Sequence, residues 1–164
     1  MSNAFLYRMP AGIPGDVTRM ESARIEAQQM DENYPVTVFG VPVKMVSGLI
    51  RPMAEDDTGQ PYGFLVRPYP TQRTTNELLG AATPDPTQLC DVLVGGYMTI
   101  KAYNDAPAKN GQVYYRSQQA VPAVLIGRVE AGSEESPATN VAITGCHFMG
   151  TGDDDGNVEI AFNV

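Results

Sequence analysis

After residue 35 the chain is cut into short apolar runs by glycine, proline, asparagine and aspartate, and none of these runs supports a long helix. Residues 36–45 show the pattern first. Thr37, Phe39, Val41, Val43 and Met45 fall on one side of an extended chain, with Val36, Val38 and Lys44 opposite. Period-two alternation of β-branched and aromatic residues marks a strand with a buried face. Pro42 offers no amide donor, so this strand is expected at an edge or a bulge. Further strands are expected over 49–53, 63–67, 96–103, 112–117, 123–130, 142–149 and 157–164. Asn110-Gly111 and Asp155-Gly156 tolerate positive φ and favour tight hairpins between them, whereas Gly95-Gly96 reads as a turn or bulge. Many short strands without a run of helices specify an all-β body, a small β-sandwich, jelly roll or barrel.

The N-terminal residues have a different texture. Pro10 and Pro14 fix φ, Gly12 and Gly15 keep the backbone permissive, and no hydrophobic repeat runs through residues 8–19. They read as an extended arm. Thr18 and Glu21 have capping-box spacing, and Met20, Ala23, Ala27 and Met30 recur at intervals of three or four, predicting one short helix over 19–30. Asp31, Glu32, Asn33 and Pro35 would end it. So short a helix is marginal alone, and its Met/Ala face must dock on the body, a sister subunit or a partner. The expected organisation is an arm plus helix over 1–35 and a β-rich body over 36–164. Residues 67–91, with Pro68, Pro70, Pro84 and Pro86, are expected to make a long excursion, and 132–139 an exposed loop.

At 164 residues the chain fits one domain. Its formal net charge of −8 disfavours direct contact with nucleic acid or anionic membrane. The acids cluster late: seven acidic residues and no base follow Arg128, so this acidic third is expected to face solvent. Two cysteines are too few for a disulfide framework and read as buried thiols. No apolar run is long enough to cross a bilayer and no secretory signal opens the chain, so synthesis in a cytoplasm is expected.

Catalytic and metal chemistry find few parts. His147 is the only histidine, and Cys146 beside it would point to the opposite face of a strand. Asp153-Asp154-Asp155-Gly156 lacks the glycine and glutamate positions of an EF-hand loop and reads as a solvated hairpin tip. Gly12 to Gly15 lacks the Gly-Lys-Ser/Thr ending of a phosphate loop. No catalytic residue, metal ligand or cofactor is expected. Tyr114 and Tyr115 must face opposite sides, and Tyr114 is assigned to a subunit contact.

Met9-Pro10-Ala11-Gly12-Ile13-Pro14-Gly15-Asp16-Val17-Thr18-Arg19, followed by Glu21 and a Met/Ala stretch, resembles the opening of the structural cement, or capsid decoration, proteins of tailed bacteriophages. The run Ala108-Lys109-Asn110-Gly111-Gln112-Val113-Tyr114-Tyr115-Arg116 is similar to the Gly-X-Val-Tyr strand of that family's β-body. The resemblance implies a non-enzymatic homodimer or homotrimer on the outer capsid surface. It would bind across junctions of the major capsid protein and hold the shell against the pressure of packaged DNA. The expected interface residues are Arg8, Met9, Pro10, Ile13, Pro14, Val17, Arg19, Met20, Arg24 and Tyr114. The alternatives are a receptor-binding or tail-associated virion β domain and a carbohydrate-active enzyme.

Overall fold

The computed structural model describes residues 12–68, 83–104, 106–118, 126–133 and 139–164. Arg8, Met9 and Pro10, and much of the expected excursion and exposed loop, lie outside these residues. Among those described, nine strands form: β1 (Arg24–Gln29), β2 (Pro42–Val46), β3 (Leu49–Pro52), β4 (Gly63–Leu65), β5 (Leu89–Tyr103), β6 (Gln112–Arg116), β7 (Val129–Glu130), β8 (Asn140–Phe148) and β9 (Asn157–Phe162). The body is all-β, with one 3₁₀ turn at Met20–Ser22.

The 15-residue strand β5 organises the fold. Its C-terminal half pairs with β9 on one side and with β7 on the other. From there β7 joins β6, β6 joins β8 and β8 joins β9, so five strands close into a ring. Its N-terminal half pairs with β1 and β4. β4 then joins β2 and β2 joins β3, and a parallel bridge from Met30 to Ile50 brings the end of β1 to β3. Two barrel-like rings therefore share one long strand, and closure of this kind removes most exposed sheet edge.

At the switch between the rings the β1–β5 register slips between Arg24 and Ile25, opposite Gly95 and Leu93. Gly96 has φ +132° there, and a Cβ on it would lie 3.0 Å from Ala23 Cα. The Gly95-Gly96 pair is thus a bulge inside a continuous strand, where a side chain would block the crossing chain.

Two apolar clusters fill the rings. Met98, Ile100, Val113, Tyr115, Ile143 and Ile160 belong to the larger one, in which Phe64 meets Phe162 edge-on at 5.2 Å. Met30, Val43, Ile50, Leu65 and Val92 build the smaller one.

Four expectations are corrected. Residues 24–29 form β1 instead of a helix, because the open ladder of β5 offers each residue a backbone partner, which outweighs a weak helical preference. Thr18 caps nothing: its hydroxyl donates to Glu159. Residues 36–41 are in no strand, and β2 starts at Pro42. Asn110-Gly111 does turn, with Asn110 at φ +65° and Gly111 N–H donating to Ala108 O (2.9 Å), but β5 and β6 on either side of it are not neighbours. Asp155-Gly156 does sit at the β8–β9 hairpin tip. There the Asp153 carboxylate accepts hydrogen bonds from Asp155 N (3.0 Å) and Asn157 N (2.8 Å).

Candidate interface surfaces

The segment from Gly12 to Met20 is not a free extended arm: Asp16 N–H donates to Ile13 O (3.0 Å) across a turn, Met20 opens the 3₁₀ turn, and much of the backbone is already engaged. Gly15 N–H donates to Thr99 O (2.8 Å), Thr99 N–H to Asp16 O (2.8 Å) and Thr18 N–H to Tyr97 O (3.1 Å), with Val17 bridged to Met98. Gly15 has φ +97°, and a Cβ on it would stand 2.7 Å from Phe39 Cβ, so only glycine lets the chain pass here. Ile13, Pro14 and Val17 are half-buried, and Val17 packs on the larger core. Met20 points outward and is 66% exposed.

Arg19 and Arg24 find partners within the chain. The Arg19 guanidinium donates twice to the Glu159 carboxylate (3.1 and 2.8 Å) and lies 3.9 Å above the Tyr97 ring. Arg24 donates to Asn163 O (3.0 Å). The structure gathers Ile13, Pro14, Val17, Arg19, Met20 and Arg24 along β5 and β9. Tyr114 sits apart on β6, half-buried, opposite Glu130 and Ala142. Its neighbour Tyr115 is fully buried and donates to Asp57 O (3.0 Å) and Gly59 O (2.8 Å), and burial pushes its hydroxyl up to about 12.

The Arg19–Glu159 latch has a pH signature. Burial pushes the Glu159 carboxyl up, but hydrogen bonds from Arg19 and Thr18 and the Arg19 charge outweigh it and hold the group below its ordinary value. Asp31 is also held low, by the Asn33 amide (2.9 Å) and by Arg51 (2.7 Å). A depressed carboxylate stabilises the fold fully above its unfolded pKa, about 4, and loses that contribution as pH falls through the folded value. We expect the thermal midpoint to drop on acidification below about pH 4. Glu159→Gln should flatten part of that drop, as followed by circular dichroism across pH.

The residues weighed for chemistry are dispersed. His147 is half-buried on β8 and Cys146 beside it is buried, with its thiol pushed well up by desolvation. Cys90 is only half-buried, its thiol also raised by burial, and it donates to Gln28 O (3.3 Å). Both thiols are free. Among the described residues, no three His, Cys, Asp or Glu side chains converge to hold a metal. Glu130 departs from the expected solvated acidic third: it is fully buried against Arg116 (2.7 Å).

One groove was not foreseen. It has a volume of about 670 Å³ and runs between residues 35–42 and the β5–β7 edge, walled by Val36, Val38, Phe39, Met53, Tyr103 and Val129. That volume falls in the ~300–1,000 Å³ range of ligand-sized clefts. Arg67, Lys101 and Arg128 also line it. Arg128 lies 4.3 Å above the Tyr103 ring and Arg67 lies 4.8 Å from the Phe39 ring. Desolvation pulls the Arg67 pKa down against the opposing charge of Asp16. A run that alternates like a strand concealed the groove, because periodicity does not say whether a partner strand exists.

A family model, XM1 gp53 minor capsid protein, matches residues 1–162. The chain belongs to that family. It thereby stands among the structural proteins of phage capsids. A solved chain from the capsid of Myoviridae phage XM1 has the same fold, with a TM-score of 0.68 at 18% identity, over 99% of this chain and 97% of that one. No curated protein matches the sequence. The membership agrees with the capsid association that the sequence resemblance implied.

Proposed function

We propose that this minor capsid protein acts as a cement, or decoration, protein. It binds the outer surface of the shell across junctions between major capsid proteins and opposes outward pressure, without catalysing a reaction. The observation that carries this reading is the family match over nearly the whole chain. The fold supports it physically: two closed rings on a shared strand make a stiff body suited to bearing load. Association as a dimer or trimer would engage several capsid sites at once, and linkage then makes complete dissociation rare. Arg8, Met9 and Pro10 are proposed to touch the shell, as is exposed Met20. Arg19 and Arg24 have internal partners and contribute through the rest of their exposed surface. Exposed ion pairs add only about 0–1 kcal/mol each, so apolar contacts supply most of the affinity.

The test is to image particles made with and without the protein and to heat both. Cement predicts many copies spread over capsid junctions and a lower disruption temperature for bare shells. Density confined to the tail or one vertex, or equal heat resistance, would overturn the proposal.

A further inference from the structure

We propose that residues 36–41 and the groove they wall accept an extended segment of a shell protein, one that presents an apolar side chain and a carboxylate. This rests on the capsid-binding reading above and names the surface that reading leaves open.

Three observations converge on the groove. Val36-Thr37-Val38-Phe39 is rich in β-branched and aromatic residues, yet among the described residues no strand pairs with it. Gly40 N–H is used by Leu65 O and Val41 O by Leu65 N–H, but Thr37 and Val38 make no backbone hydrogen bond to other described residues. Both are exposed, and Val38 holds an aliphatic side chain 53% in solvent. Such a run is prepared to take a neighbouring strand, with main-chain bonds giving affinity and the adjacent cleft giving side-chain selectivity.

Charge identifies the occupant. The chain is acidic overall, with 11 basic and 19 acidic residues, yet Arg67, Lys101 and Arg128 all line this groove and no Asp or Glu is among its described lining residues. The Arg67 Nη1 atom is buried and has no hydrogen-bond partner among the described residues, while Nε donates to Pro14 O (3.1 Å). A guanidinium with one arm held and one arm unmatched suits a carboxylate, because charge-assisted bonds to planar oxygens are the strongest it can make. The chain's own first eleven residues contain Arg8 and no acid, so they do not complement the site.

The experiment uses full-length protein on assembled particles. A benzophenone amino acid at position 38 is photoactivated and its adducts are mapped by mass spectrometry. In parallel, particle occupancy is measured for wild type, for Val38→Asp, and for Lys101→Glu with Arg128→Glu. All these side chains lie outside the two apolar clusters, and an unchanged thermal midpoint serves as the folding control. We expect adducts to an acid-bearing segment of a shell protein and occupancy lowered about tenfold or more, the equivalent of roughly 1.4 kcal/mol. Adducts only to a second copy or to this chain, or undiminished occupancy of both variants, would overturn the groove assignment while leaving capsid binding intact. Absence of the wild type from particles would overturn both.

Discussion

Arg116→Met is expected to destabilise the protein by about 3–5 kcal/mol, the usual cost of leaving one member of a buried ion pair without its partner. Arg116 is 1% exposed and Glu130 is fully buried. The guanidinium donates to Glu130 Oε1 from Nε (2.8 Å) and pairs with it through Nη2 (2.7 Å), while Nη1 donates to Thr139 Oγ1 (2.7 Å). Asn104 and Asn140 donate to the same carboxylate (3.1 and 2.9 Å). This network fastens β6 to β7 at the closure of the larger ring. Glu130→Gln should cost a comparable amount, because it strands the arginine charge. The double variant Arg116→Met, Glu130→Leu should recover only part of the loss, since Asn104 and Asn140 would then lose the carboxylate to which they donate. Urea unfolding of the four proteins measures this. A single variant within about 1 kcal/mol of wild type would show that water solvates the pair, contrary to its burial.

Several strands from residue 42 onward were legible from a local signature, but β5 starts at Leu89 inside the expected excursion, and of the strand expected over 123–130 only Val129–Glu130 forms among the described residues. β3, β6, β8 and β9 all lie where alternation and flanking turn residues put them. Alternation also separated Tyr114 from Tyr115 and Cys146 from His147 without any knowledge of topology. The failures share a cause: the deciding partner is remote in sequence. Arg24–Gln29 has a helical spacing of Met and Ala, but its conformation is set by residues 89–95 of β5. Residues 36–41 alternate well and still form no strand, because strand formation requires a neighbour. The partner of Arg19 lies 140 residues away at Glu159, and nothing local marks it. The groove is likewise assembled from seven separate stretches of chain, and its cationic lining is invisible in any one of them.

Two N-terminal deletions separate what grips from what folds. Removing residues 1–11 leaves the Gly15, Asp16 and Thr18 bonds to β5 and the whole β1 register in place. Removing 1–31 should instead abolish soluble, folded protein. It takes β1 away from its whole register along β5, and it strips the Gly15 and Thr18 amide bonds and the Asp16 carbonyl bond from the β5 backbone. It also removes Met30, which is 1% exposed and anchors the smaller core, and Asp31, whose N–H donates to Ile50 O (3.0 Å) to close the ring on β3. Met30 burial alone is worth about 1.5–3 kcal/mol, and a domain's whole stability is about 5–15 kcal/mol. From Gly12 onward, a front end rich in Pro and Gly is therefore part of the folded body. Only the shorter deletion can test capsid binding, and it should reduce particle occupancy if Arg8, Met9 and Pro10 touch the shell. A folded, cooperative protein lacking 1–31 would mean that β5 does not need β1, and that the smaller ring stands without the strand that closes it.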